Sequence, residues 1–207
     1  MDTSKVNAPT LRLKVRLAEP DDAERITTVI NSAFRRAEEF FIDEDRIDET
    51  SVVNFLNAGT FLLAEKADRV IGCVYVELRT SIANQGSPVS ADRTPADDPK
   101  LTSDLGSMTL TSQSEVSNPK FSRAYLGLLA VDPVHQRSGL GAALMDAAED
   151  YCLGLGAKFM DIKVVSLRKE LFSFYRRRGY VETGTSPFPD EVVTKVACHL
   201  VDMSKPL

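Results

Sequence analysis

A short glycine-containing loop between an apolar run and a helical pattern constrains this chain more than any other feature. Residues 125–131 predict a strand that is buried on both faces. Asp132 and Pro133 end this strand, because proline lacks the backbone donor that a central strand needs. After the loop at residues 136–141, apolar side chains recur at helical spacing. The predicted apolar face of this helix consists of Leu140, Leu144, Ala147, Ala148, Tyr151 and Leu155.

The order of strand, tight loop and helix predicts an anion site. Backbone N–H groups without partners and the positive end of the helix dipole point at one place, which suits a phosphate. A P-loop would need a Gly-Lys-Ser/Thr ending, and a dinucleotide fingerprint would need a third glycine and an acidic end to the next strand. The loop has neither that lysine nor that glycine, and the next predicted strand ends in Val164 and Val165. Both alternatives therefore fit poorly.

The loop resembles the pyrophosphate-binding loop of the GNAT family of N-acetyltransferases. The pattern of that family is Gln/Arg-x-x-Gly-x-Gly/Ala after a strand, and Gln136, Gly139 and Gly141 fill it in order. The preceding residues 129–133, Leu-Ala-Val-Asp-Pro, agree as well. The resemblance implies that the pyrophosphate of coenzyme A binds at residues 136–141.

Bulk composition is that of one soluble domain. The chain has 207 residues, enough for a sizeable core with insertions. Its net charge of −5 disfavours broad binding to nucleic acid or to anionic membranes. No apolar run approaches the roughly 20 residues needed to cross a bilayer, and the polar residues 1–9 do not resemble a secretory signal. We expect a cytoplasmic protein with neither a nucleic-acid partner nor a membrane partner.

Cysteine and histidine contents favour neither a disulfide framework nor a metal site. The three cysteines, Cys73, Cys152 and Cys198, are widely spaced and lie in apolar patterns. The two histidines, His135 and His199, form no cluster of zinc-binding spacing with them. We expect no metal ion.

Hydrophobic periodicity predicts a polar tail at residues 1–10 and a single domain at residues 11–207. Strands are predicted at residues 11–17, 60–66, 70–79, 125–131, 158–165, from 180 and at 196–203, and helices from residues 20, 47 and 140 and at 168–178. This order predicts an α/β (α+β) fold with helices on both faces of a mixed sheet. The resemblance implies the GNAT acyl-CoA N-acyltransferase fold, with a mostly antiparallel central sheet of about seven strands.

Residues 80–120 interrupt the pattern. They are rich in Ser, Thr, Asp, Pro and Gly, and such a composition buries little apolar surface. Loops of this length in a compact domain are either functional or disordered. Two interpretations therefore stay open, a poorly ordered insertion and a lid that shapes the substrate site.

The resemblance also implies where acetyl-CoA lies. Its pantetheine arm would pair with the backbone of Leu129, Ala130 and Val131, as an added strand would. Many family members have an asparagine after the next strand, and Ser166 is the nearest position here. The residues implied around the pyrophosphate are Gln136, Arg137, Ser138, Gly139, Leu140, Gly141 and Ala142.

A second stretch, residues 172–180, resembles the family's helix that carries Phe-Tyr and ends in Arg/Lys-x-Gly-Phe/Tyr. The resemblance implies that Tyr175 contacts the cofactor and is the general acid, which would protonate the departing thiolate. The alternative is that Tyr175 is an aromatic core residue beside Phe172 and Phe174.

An amine acceptor must also lose a proton, because alkylamines are charged at neutral pH. Glu77 is the first candidate base and Glu38 and Glu39 come next, and the alternative for each is a solvated surface carboxylate. The oxyanion formed during the reaction would meet the backbone N–H of Leu129 or Ala130.

The sequence therefore predicts transfer of acetyl from acetyl-CoA directly to a primary amine of an unidentified acceptor. A covalent enzyme intermediate is not expected, since no cysteine lies where a nucleophile would be exposed. The alternatives are a non-catalytic acyl-CoA sensor or scaffold of the same fold, and an acyltransferase that uses another acyl chain or a hydroxyl acceptor. A monomer and a homodimer are both compatible with the sequence.

Overall fold

The computed structural model of this chain describes residues 14–80, 121–189 and 192–207. The predicted tail at residues 1–10 lies outside the described residues. The same holds for residues 81–120, which make up nearly all of the predicted insertion.

The described part of the chain forms strands and helices in the predicted order. The strands are β1 (Lys14–Leu17), β2 (Thr60–Lys66), β3 (Arg69–Thr80), β4 (Phe121–Val131), β5 (Phe159–Val165), β6 (Val181–Pro187) and β7 (His199–Pro206). The helices are α1 (Ala23–Glu38), α2 (Glu49–Ala58), α3 (Leu140–Gly154) and α4 (Lys169–Arg177).

The strands form one sheet of seven in the order β1-β2-β3-β4-β5-β7-β6. Every neighbouring pair is antiparallel except β4 and β5, which run parallel. A parallel pair requires a crossover connection, and α3 provides it between these two strands. The predicted fold, a mixed and mostly antiparallel sheet of about seven strands, is confirmed.

Two apolar clusters cover the two faces of the sheet. Helix α1 packs on one face, where Ile26, Val29 and Ile30 are buried against residues of β2 and β3 such as Phe61 and Tyr75. Helices α3 and α4 pack on the other face, and their buried members there are Leu140, Leu144, Met145, Ala148, Cys152, Phe172 and Tyr175. No helix of the described residues combines the length and the apolarity that crossing a bilayer requires.

The predicted apolar face of α3 is wrong at its end. Leu155 is 46% exposed, because the helix ends at Gly154 and the chain turns at Gly156 with a φ of +92°. Met145 and Cys152 are buried instead. The boundaries of β7 also differ, since this strand runs three residues beyond the predicted end at Met203.

The prediction that residues 125–131 are buried on both faces is also wrong. Leu126 and Ala130 are buried, whereas Tyr125, Leu129 and Val131 are only half-buried. The strand begins earlier than predicted, at Phe121. Its second half is more open because β5 separates from it, and this separation creates the site described next.

Candidate functional site

Strands β4 and β5 separate in the middle of the sheet. Their parallel pairing runs from Arg123 opposite Phe159 to Leu126 opposite Ile162. Beyond Leu126, β4 continues to Val131 while β5 stays paired with β7. A gap therefore opens along one edge of β4, between two strands that are neighbours in the sheet.

A β-bulge lies where the gap begins. On β3 and β4 the register pairs Tyr75 with Gly127 and Cys73 with Ala130, so β4 has one extra residue between these pairs. Leu128 has a φ of +48°, which is unusual for a residue with a branched side chain. A bulge bends its strand and increases the local twist, which accounts for the separation from β5. The sequence contains no glycine at position 128 that could have signalled it.

The backbone of β4 alternates between its two neighbours beyond the bulge. Asp132 donates its N–H to the carbonyl of Ile71 on β3, and the register pairs Ala130 with Cys73. The backbone groups of Ala130 therefore face β3, and those of Leu129 and Val131 point into the gap. The side-chain Nε2 of Gln136 donates to the carbonyl of Val131 across 3.1 Å.

Side chains of the loop after β4 hold this loop in shape through hydrogen bonds to its own backbone. Asp132 Oδ1 accepts from the N–H of Val134 at 3.0 Å, and Ser138 Oγ donates to the carbonyl of His135 at 2.6 Å. Arg137 has a φ of +61° and an exposed side chain. Gln136 and Ser138 therefore hold the loop in shape with their side chains, and their predicted contacts with a ligand stay predictions.

The start of α3 is open. Its first intrahelical bond runs from the N–H of Ala143 to the carbonyl of Gly139, so the N–H groups of Leu140, Gly141 and Ala142 have no partner one turn earlier. The first turn carries no acidic side chain, and a Cβ added to Gly139 would meet nothing within 4 Å. Gly139 has a φ of +87°, which explains the glycine. This helix end, beside the gap, can bind an anion.

Tyr175 lies on α4, on the α3 side of the sheet. Its ring packs edge to face against Phe174 and Tyr180, with centroids 5.1 and 5.9 Å apart. Burial raises the pKa of Tyr175 to about 12, against the opposing charge of Arg168. Its hydroxyl makes no hydrogen bond with another of the described residues. Tyr175 is thus a core residue with a phenol that stays protonated at neutral pH.

A buried carboxylate holds the end of α4 in place. Glu149 of α3 accepts a hydrogen bond from the hydroxyl of Tyr180 at 3.0 Å and one from Lys205 of β7 at 2.5 Å. Tyr180 also donates its N–H to the carbonyl of Tyr175 at 3.1 Å. Glu149 therefore positions the turn after Tyr175. The sequence did not indicate this role, since Glu149 lies among acids at the predicted polar face of α3.

Ser166 is buried and bonded to β7. Its Oγ accepts from the N–H of His199 at 3.2 Å, and its own N–H donates to the carbonyl of His199 at 2.9 Å. These bonds extend the β5–β7 pairing by one residue. The hydroxyl proton of Ser166 remains to be donated, so its predicted contact with a ligand stays a prediction.

The candidate bases lie in different environments. Glu39 is exposed, and Glu77 is half-buried with its Oε1 3.5 Å from Arg79 Nε. Glu38 is only 4% exposed, and it lies 4.0 Å from Arg46 Nε and 3.9 Å from Arg168. Desolvation raises the pKa of Glu38, and the charges of Arg46 and Arg168 oppose this shift. The solvated-carboxylate interpretation is therefore wrong for Glu38.

The chain after α1 explains why Glu38 is buried. Phe41 and Ile42 pack against Val165 at the end of β5 and draw the end of α1 onto the sheet. The carbonyl of Phe41 also accepts from the N–H of Lys195 in the loop before β7, at 2.9 Å. The aromatic cluster at residues 40–42 was the sequence signal that could have revealed this contact.

The ring of Tyr125 lies across Gly127 at the start of the gap. A Cβ added to Gly127 would lie 2.9 Å from the Cε1 and from the hydroxyl oxygen of Tyr125. The guanidinium of Arg79 also lies over this ring, with its Cζ 4.6 Å from the centre of the Tyr125 ring. Tyr125 was not predicted as a site residue.

The cysteines and the acidic side chains indicate no further chemistry in the described residues. Cys73 and Cys152 are buried, and burial raises the pKa of each thiol, for Cys152 to about 11. Within residues 14–80, 121–189 and 192–207, no three His, Cys, Asp or Glu side chains are grouped so that they could hold a metal ion.

Comparisons with known proteins agree on one family. The acetyltransferase (GNAT) family model matches residues 24–180. The solved structure of yncA from Salmonella typhimurium, with its cofactor acetyl-CoA, is similar with a TM-score of 0.61 at 18% identity, over 95% of this chain and 94% of that one.

Two further solved structures share the fold. The ribosomal-protein-S18-alanine N-acetyltransferase from Escherichia coli has a TM-score of 0.58 at 13% identity, over 94% of each chain. Ard1 from Thermoplasma volcanium has a TM-score of 0.61 at 16% identity, over 94% of this chain and 97% of that one. No match was found among curated proteins. The family model covers most of the chain, and the chain therefore belongs to the acetyltransferase (GNAT) family.

Proposed function

We propose that this protein is an acyl-CoA-dependent N-acyltransferase that transfers acetyl from acetyl-CoA directly to a primary amine. One observation carries the proposal. The open N-terminus of α3 lies at the end of the gap beside β4, so an anion site and the backbone groups of β4 that face the gap follow one another. A ligand with a diphosphate at one end and an amide-bearing arm fits this arrangement.

The residues of this chain would hold acetyl-CoA in the following way. The N–H groups of Leu140, Gly141 and Ala142 would donate to the diphosphate, and Leu129 and Val131 would pair with the amides of the arm. The backbone groups of Ala130 face β3. Ala130 would therefore contribute by keeping β4 paired with β3, and not by a backbone hydrogen bond to the ligand. The acetyl-CoA in the similar yncA structure supports the choice of ligand.

The acyl end of the ligand would then lie near the bulge. There the N–H of Leu129, which points into the gap, would stabilise the oxyanion that forms on the acetyl carbonyl. Leu129 is preferred over Ala130 for this role, because the N–H of Ala130 is directed to β3.

Tyr175 would act on the departing sulfur. Its pKa of about 12 keeps the phenol protonated. Thiols titrate near 8.5, so complete proton transfer from Tyr175 to a thiolate is uphill. The first contribution of Tyr175 is therefore a hydrogen bond that strengthens as negative charge develops on the sulfur.

Glu77 is the proposed base for the amine. It lies opposite Tyr125 in the sheet and on the same face, close to the start of the gap. Its Oε1 lies 3.5 Å from Arg79 Nε, which holds the carboxylate beside the gap. Glu38 is the second choice, since its raised pKa makes it a stronger base but its two arginines compete for it.

The experiment that tests the proposal is thiol release from acetyl-CoA by the purified protein, with a panel of amines and with matched alcohols. We expect release that depends on an amine, with a mass increase of one acetyl group on that amine. Direct binding of coenzyme A, measured by calorimetry, tests ligand binding separately from catalysis. A chain that binds coenzyme A and releases no thiol with any amine or alcohol would be a sensor or scaffold.

A further inference from the structure

A cavity of about 230 Å³ lies on the sheet beside the start of the gap. Its walls come from the strands on both sides of the separation, including Tyr125 of β4 and Ile162 of β5. Ile162 belongs to the last β4–β5 pair, and the Tyr125 ring lies across Gly127, the next residue of β4 after that pair. The cavity therefore adjoins the place where the proposed function puts the acetyl group. Its volume suits an acceptor of amino-acid size rather than a large one.

Two of the three cations that line the cavity are hydrogen-bonded to carboxylates. Arg123 donates to both carboxylate oxygens of Asp161 and to Ser204 Oγ. Lys163 donates to Asp202 at 2.8 Å and to Ser186 at 2.6 Å. These ion pairs balance the negative charges of Asp161 and Asp202, so the two carboxylates do not repel an anion strongly.

Arg79 is the third cation, and its guanidinium has donors to spare. Its Nε is 3.5 Å from Glu77 Oε1, too far for a strong hydrogen bond, and its Cζ lies over the Tyr125 ring. No other polar group of the described residues binds it. Stacking fixes the direction of the guanidinium and leaves its terminal N–H groups for a planar acceptor, which is how arginine recognises a carboxylate.

Arg79 lines this cavity, and Glu77 lies beside it on β3 with the opposite charge, 3.5 Å away. An α-amino acid carries an ammonium and a carboxylate at a similar separation, so it can face both residues at once. Glu77 would attract the ammonium and take its proton, and Arg79 would bind the carboxylate. A single carboxylate also matches the lining, since Arg79 is the one cation there that has no hydrogen-bonded carboxylate among the described residues.

We infer that the acceptor is a small amine that carries a carboxylate next to the amine, and that Arg79 recognises the carboxylate. This inference rests on the proposed function and names the class of acceptor that the same site takes. Arg79 is the residue that determines specificity, and Tyr125 positions its guanidinium.

The test compares L-α-amino acids with their own carboxamides as acceptors, at saturating acetyl-CoA. In the wild-type protein we expect kcat/KM for the best amino acid to exceed that of its amide by about 10- to 100-fold, as for a hydrogen-bonded charged group. In Arg79→Gln this ratio falls to about one. In Arg79→Lys the ratio is intermediate, because lysine keeps the positive charge but lacks the planar pair of N–H donors that binds both carboxylate oxygens. Arg69→Gln is the matched control at the exposed end of the same strand, and it keeps the wild-type ratio.

A ratio near one in the wild-type protein, or an unchanged ratio in Arg79→Gln, overturns the inference. Ligand-observed NMR with the same amino acids and amides tests it without turnover. If no amine is acetylated at all, the proposed function fails, whereas loss of amino-acid binding in Arg79→Gln would still support the site. Equal NMR signals for acid and amide in the wild-type protein would contradict the role of Arg79 in either case.

Discussion

A methyl group added to Gly141 would lie 3.8 Å from Cγ2 of Val131, which is an ordinary van der Waals distance. Packing within the described chain therefore does not require a glycine at this position. The backbone does not require one either, since Gly141 is helical and has no positive φ. The added methyl would instead occupy space at the open end of α3, where the proposed diphosphate comes closest to the backbone.

Gly141→Ala should therefore change stability and binding in opposite directions. Alanine is a better helix former than glycine, so we expect the free energy of unfolding to rise by about 0.5–1 kcal/mol. We expect affinity for coenzyme A to fall at least tenfold, on the order of 1.4 kcal/mol. Urea unfolding and calorimetric titration measure the two effects.

The matched control for this prediction is Gly154→Ala in the same helix. A Cβ there meets nothing within 4 Å, and the position is at the far end of α3 from the loop. We expect it to stabilise the chain and leave coenzyme A binding at the wild-type value. Equal affinity of Gly141→Ala and wild type would show that the helix end is not the diphosphate site.

Tyr175→Phe should lower the rate with little effect on folding. The hydroxyl makes no hydrogen bond within the described residues, so its removal leaves no partner unsatisfied. We expect kcat to fall by about 10²-fold, as for loss of one hydrogen-bond donor to the charge that develops on the sulfur. Thermal unfolding should remain close to that of the wild-type protein.

Tyr151→Phe, on the half-buried side of α3, is the control for this change. It should leave kcat unaltered. If Tyr175→Phe turned over at the wild-type rate, Tyr175 would be a core aromatic residue only, which is the alternative that its packing against Phe174 and Tyr180 supports.

Local patterns explain why much of this site could be predicted from sequence. The loop at residues 136–141 and the start of α3 depend on neighbours in the chain, and the glycine with positive φ, Gly139, lies where the pattern placed it. The order of strands and helices also follows from periodicity. The resemblance to one family supplied the topology of the sheet, which periodicity alone leaves open.

Long-range contacts account for what could not be predicted. The burial of Glu38 depends on Phe41 packing against Val165, more than 120 residues later in the sequence. The bulge at Leu128 depends on the register with β3, and no residue type signals it. The stacking of Arg79 on Tyr125 likewise joins two strands that lie on either side of residues 81–120.

Glu38→Gln should stabilise the protein at neutral pH. Desolvation raises the folded-state pKa of Glu38 above its unfolded value. A raised pKa contributes stability that is complete below the unfolded pKa, near 4.5, and is lost as pH rises through the folded pKa. Glutamine avoids this loss, so we expect the variant's advantage to be present at pH 7 and to shrink as the pH approaches 4.5.

Urea unfolding across this pH range measures the difference between the two proteins. Glu39→Gln is the control, since Glu39 is the exposed neighbour in the sequence. Lower stability of Glu38→Gln at pH 7 would mean that the attraction of Arg46 and Arg168 outweighs the desolvation of the carboxylate.

Gly127→Ala should test the contact between Tyr125 and the β4 backbone. Its Cβ would lie 2.9 Å from the Tyr125 ring, closer than packed atoms approach, so the ring must move. Such overpacking costs about 1–3 kcal/mol of unfolding free energy. The ring cannot move freely, because Arg79 stacks on it. In a Tyr125→Ala background the clash is absent, and we expect Gly127→Ala to cost little there.

A double-mutant cycle of the four chains, measured by urea unfolding, isolates this interaction. We expect a coupling of at least about 0.5 kcal/mol, which is above the usual deviation for independent sites. Additive effects would show that the ring does not lie across Gly127 in solution. The geometric link from the proposed acetyl position to Arg79, which runs through the Tyr125 ring, would then be lost.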